Sequence, residues 1–146
     1  MWINETKMIL ILATIVIGFQ WFCLNAPCHL IDFYISIFCV IAHILVFILV
    51  AHKQPINNTT SRVYKKIHKL LTWSICSGIL VSSIQQIIFY LFYLSILFKI
   101  WNIFGNRCPF KKFYDVSYPQ VSEKTKDLTK VLFLIQMMKL IFVMSY

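Results

Sequence analysis

Residues 70–98 carry no charged side chain, and within them Ser74, Gly78, Ser82 and Gln86 recur at every fourth position. As one helix the run would be about 43 Å long, more than the ~30 Å of hydrocarbon that a membrane helix has to cross. The four-residue step predicts that two serines, a glycine and an amide share one stripe of that helix. Small residues let membrane helices approach closely, and polar ones hydrogen-bond across the contact. The expectation is a span over residues 70–90 that packs through Ser74, Gly78, Ser82 and Gln86, with the aromatic cluster Phe89, Tyr90, Phe92 and Tyr93 at the far interface.

A hydrophobic content of 60%, only 13% charged residues and a mean hydropathy of +0.76 exclude an ordinary soluble domain, where about a quarter of residues are charged. Two further apolar runs, residues 8–24 and 30–52, predict two more spans. The last run, 131–146, contains Lys139 and is marginal, equally suited to an amphipathic C-terminal helix. The fold expected is therefore all-α: a single small polytopic transmembrane helix bundle of three spans and a marginal fourth, with a basic loop over 53–69 and an interfacial loop over 99–130. Lys7 ahead of an apolar core and Ala26 near its end are features of a signal peptide, but Glu5, Leu24 and Pro27 oppose cleavage, so a retained first helix is expected.

The net charge of +9, from 14 basic and 5 acidic residues, does not point to nucleic acid, because the basic side chains flank apolar runs and face anionic lipid headgroups. Residues 25–29 hold no lysine or arginine, whereas 53–69 hold Lys53, Arg62, Lys65, Lys66 and Lys69. Such a contrast puts the N-terminus and the 53–69 loop in the cytoplasm. Segment 99–130 then falls on the far side, although its basic residues outnumber its acidic ones. Two escapes exist: the 70–98 run turns back within the membrane, or the first hairpin dominates the orientation. The second is expected, since two full spans need more residues than this run contains.

Asp32, Ser36, Cys39 and His43 step by four, three and four residues and so share one face of the second helix. Ionisable groups at membrane depth are costly and usually face a bundle interior or a wet cavity. Asp32, Ser36 and His43 are thus a candidate polar path for protons or ions, with His43 as the titrating group. The plainer reading has Asp32 reaching the interface and His43 making one hydrogen bond to a neighbouring helix. Counted from the cytoplasmic end, His43 is level with Ile79, beside Gly78 and Ser82, and Gly18 of the first helix has a similar depth. A wedge of His43 between two glycine-bearing faces is expected.

Sequons for N-glycosylation occur at Asn4 and at Asn57 and Asn58, and under this orientation all stay unmodified. Of five cysteines, only Cys23 and Cys28 flank one short loop and could pair in an oxidising compartment. His43 and His68 are roughly 13 Å apart in depth, which rules against a haem clamp, and no metal or other cofactor is expected. The sequence contains no nucleophile elbow, phosphate-binding glycine loop or paired carboxylates, so the chain reads as non-enzymatic.

Three functional readings follow. In the first, the chain is an accessory subunit or oligomer that acts through helix packing, its partners being the lipid bilayer and other transmembrane helices or a second copy. A second makes it a transport or channel element lined by Asp32 and His43. The third takes it for a fragment of a larger receptor or a poorly selected AT-rich reading frame, as its end inside an apolar run would fit.

Overall fold

The computed structural model describes residues 4–25, 29–52, 57–82 and 84–145. Five α-helices follow one another among them: α1 (Glu5–Leu24), α2 (Leu30–Ala51), α3 (Asn58–Val81), α4 (Ile84–Ile103) and α5 (Glu123–Met144), with a 3₁₀ turn, Pro109–Phe113, between α4 and α5. Three segments, Glu5–Leu24, Leu30–Ala51 and Gln86–Ile103, are long and apolar enough to cross a membrane. In α3 the lysines 65, 66 and 69, and in α5 Asp127, Lys130 and Lys139, lower the apolar character of helices of comparable length. The candidate pairing of Cys23 with Cys28 and the candidate cleavage site fall on residues 26–28, outside the described residues.

The main correction concerns residues 70–98, which form two helices rather than one. Ser82 leaves helical geometry with φ −60° and ψ 136°, while its N–H still donates to the Gly78 carbonyl at 2.8 Å. Serine hydroxyls compete with the backbone for hydrogen bonds and weaken helix interiors. The single span over 70–90 is therefore not formed. Each arm of the hairpin reaches full length by taking in flanking polar sequence, so the basic loop expected over 53–69 is helical from Asn58 onward. The interfacial loop expected over 99–130 is likewise reduced to the connection between α4 and α5, because 99–103 belong to α4 and 123–130 to α5.

Local signals set the remaining ends. Asn4 caps α1 by accepting from the Lys7 N–H at 2.9 Å, and Ser122 caps α5 by accepting from the Thr125 N–H at 3.2 Å. Asn57 and Thr60 form a reciprocal capping box at the start of α3, with bonds of 2.8 and 2.7 Å. Two sequon asparagines, Asn4 and Asn57, are thus helix caps. α4 ends in a Schellman turn: Asn106 N–H donates to Trp101 O at 2.6 Å and Gly105 N–H to Asn102 O at 3.3 Å. Gly105 there has φ +66°, a conformation that favours glycine.

Helix α1 packs along α2, α2 along α3, and α4 along α5, with the 3₁₀ turn against α1 and α3. The hairpin at Ser82 returns the segment after α4 to the end where α1 begins. Lys112 accordingly pairs with Glu5 at 3.1 Å, and the Ser61 hydroxyl donates to the Tyr114 carbonyl at 3.0 Å. The distribution of side chains is inverted relative to a soluble protein. Gln20, Asp32, Ser36, His43, Gln86 and Gln136 are buried, while Trp21, Phe22, Leu30, Trp73 and Phe142 are largely exposed.

Candidate functional site: a buried polar layer

The polar interior begins where α3 stops. The last carbonyls of a helix have no partner within it and carry partial negative charge. Lys139 of α5 supplies a cation there: its Nζ donates to the carbonyls of Ile79 and Leu80, the latter at 3.2 Å, and to Ser82 Oγ at 3.5 Å. Gln136, one turn earlier on α5, donates from Nε2 to the same Ser82 oxygen at 3.0 Å. The lysine that made the last run marginal is thus a C-terminal cap for another helix.

Gln20, near the end of α1, Asp32, in the first turn of α2, and Gln86, in the first turn of α4, belong to the same end of the bundle. Asp32 is 3% exposed and close enough to both Lys139 and Tyr90 for charge interaction. Neither amide atom of Gln20 has a hydrogen-bond partner, nor do Ser36 Oγ, Gln86 Oε1 and Gln136 Oε1. Four helices therefore carry orphaned polar atoms towards this end of the bundle.

From this layer the polar face of α2 runs inward, as the sequence spacing predicts: Asp32, Ser36, Cys39 and His43 are all buried. His43 Nδ1–H donates to the Cys39 carbonyl at 2.8 Å, which leaves Nε2 as an acceptor, and Nε2 has no partner. Its ring stands edge-on to Tyr93 of α4, with centroids 5.8 Å apart.

The expected wedge of His43 against Gly78 is not formed. Tyr90 of α4 occupies that place, its phenol so close to Gly78 that any Cβ would overlap it. Gly18 is corrected outright: nothing lies within 4 Å of where its Cβ would be, and the neighbouring Phe19 makes the contact with α4, its ring tilted by 32° against Phe89 with centroids 5.1 Å apart. Ser74 is buried and bonded to Leu71 O at 2.7 Å, with Cys39 against it. Of the stripe, Ser74, Gly78 and Gln86 are buried and Ser82 is half-buried by the chain itself, on both arms of a hairpin rather than along one helix.

At the opposite end His68 of α3 joins an aromatic cluster with Tyr64, Phe110, Phe113 and Tyr114. The Tyr114 hydroxyl and His68 Nδ1 are hydrogen-bonded at 2.8 Å, and Nε2 faces Cys108 Sγ at 3.7 Å. Burial, with the charge of Lys111 nearby, pulls the His68 pKa down to about 4. Among the described residues no three metal-ligating side chains converge.

Sequence reasoning gave Gln20 and Gln136 no role, took Lys139 only as a blemish in the last run, and placed Tyr90, which is buried, at the far interface. Gln136 and Lys139, three residues apart on one helix face, were a readable signal. No family model matches the chain, and no curated protein or solved structure matches it either.

Proposed function

We propose that this chain is a small multi-pass integral membrane protein, non-enzymatic, which works as a transport or channel element whose polar layer admits protons or small cations. The observation that carries this reading is the set of orphaned buried polar atoms on Gln20, Ser36, His43, Gln86 and Gln136, beside Asp32 and Lys139. An unpaired buried polar atom costs about 1–3 kcal/mol, and water in a polar cavity removes that cost. Ionisable residues in membrane segments mark ion and proton pathways for the same reason. The outward-facing apolar side chains support lipid as the surrounding medium.

The test is flux into liposomes loaded with a pH-sensitive dye. Asp32→Asn and His43→Ala are expected to abolish flux while the protein still inserts; unchanged flux in both overturns the reading.

A second reading, an accessory subunit or homo-oligomer, is favoured by the exposed apolar face of α1 and α2 around Trp21, Phe22, Leu30 and Tyr34. It uses that outer face, because the small-residue stripe is already covered. Loss of a co-purifying complex on Trp21→Ala and Phe22→Ala, with no effect of Asp32→Asn, would favour it.

A further inference from the structure

Around Tyr93, away from the polar layer, the helices border a partly open space of different chemistry. A cavity of about 180 Å³ lies between α1, α3, α4, α5 and the 3₁₀ turn. Its walls are mostly aliphatic, with Leu71, Ile75, Leu94, Leu97 and Leu132 among them. An apolar cavity of ~150 Å³ is large enough to hold a benzene ring, so this one accommodates a short hydrocarbon tail.

Lys111 is the one charged side chain among its described lining residues. The hydroxyls of Thr72 and Thr129 are already bonded to carbonyls of their own helices, Ser122 to Thr125, and His68 to Tyr114. Lys111 and Trp101 remain, with the Tyr93 hydroxyl. The Trp101 indole N–H belongs to a residue 7% exposed and has only the Cys108 thiol, a weak acceptor, beside it. Lys111, half-buried, makes no close ion pair among the described residues. Ammonium and indole are donors with no acceptor capacity. A ligand that pairs with both supplies acceptors and, opposite Lys111, negative charge.

We propose that the cavity binds a single-chain amphiphile with a carboxylate head, its tail among Ile75, Leu94 and Leu97 and its head at Lys111 and Trp101. This site is separate from the polar layer at Ser82 and does not depend on the transport reading.

The experiment uses the full chain in phosphatidylcholine nanodiscs, an octanoic acid analogue with a terminal diazirine as photoprobe, and octanoate, octylamine or octanol as competitors. Labelling is expected on Ile75, Leu94, Leu97 or Leu132, displaced by octanoate and not by octylamine. Lys111→Gln should weaken octanoate about tenfold, in line with loss of one charge-assisted hydrogen bond, and erase its advantage over octanol. Leu94→Trp, which fills the cavity, should remove the label with helicity retained. If that variant does not fold, the competitor series on the native chain and on Lys111→Gln still decides. Labels confined to outward residues such as Ile41 and Phe47, or equal displacement by octylamine, overturn the proposal.

Discussion

The phenol of Tyr90 lies on the bare Cα of Gly78, and this contact locks the two arms of the α3–α4 hairpin together just below the turn at Ser82. A Cβ at position 78 would meet the Tyr90 hydroxyl and ring carbons. Gly78→Ala is expected to destabilise by ~1–3 kcal/mol, as overpacking does. Combining it with Tyr90→Ala should cost less than the sum of the two single changes, measured by denaturation in detergent. Additive effects would show that the pair is not in contact. Since Gly78 holds the chain's own fold, its replacement does not report on partner binding.

Gly18→Ala should behave oppositely. With open space around the position, the better helix propensity of alanine predicts no loss and a gain of up to ~1 kcal/mol. A clear loss of stability would reveal a contact there.

Lys139 is expected to be needed for the end of α3. Lys139→Met leaves the Ile79 and Leu80 carbonyls without their cation and should cost roughly 1–2 kcal/mol, seen as faster amide exchange in the last turn of α3. Lys139→Arg should retain most of the protection. Equal exchange in all three proteins contradicts the capping role.

Docking of the Pro109–Phe113 turn should depend on pH. The unfolded pKa of His68 is 6.5 and its docked value is about 4. Above pH 6.5 the ring is neutral in both states and its contribution is complete. As pH falls from 6.5 towards 4, the undocked ring takes up a proton that the docked ring refuses, so docking weakens by at most ~3 kcal/mol. Amide exchange over residues 109–114 should rise across that window and flatten in His68→Gln. A variant with the same pH profile would rule out His68 as the sensor.

Helices α1 and α2 were legible from their apolar runs, and the inward face of α2 from the spacing of Asp32, Ser36, Cys39 and His43. The hairpin was not, because residues 70–98 are uncharged throughout and the turn contains neither glycine nor proline to mark it, although Ser82, Ser83, Gln85 and Gln86 interrupt the apolar run there. The physical signal lay elsewhere, in the basic charge of 99–130, which violated the expected loop bias only if the run crossed once. With the turn at Ser82, Arg62, Lys65 and Lys66 of α3 share an end with Lys111 and Lys112, and the conflict disappears. Gly18 was misjudged because a glycine's position gives its depth and not the direction in which its bare face points. Lys139 was read as a defect of an apolar run, and Gln136 was passed over, because their partners, Ser82 and the α3 carbonyls, exist only once the hairpin has formed.

Topology mapping tests the hairpin most directly, with glycosylation reporters placed in turn at the N-terminus, at residue 57 and at residue 115 of the full chain. The fold predicts that all three report the same side of the membrane. A reporter at 115 on the side opposite to 57 would mean that residues 70–98 cross once, and would contradict the turn at Ser82 and the polar layer built on it.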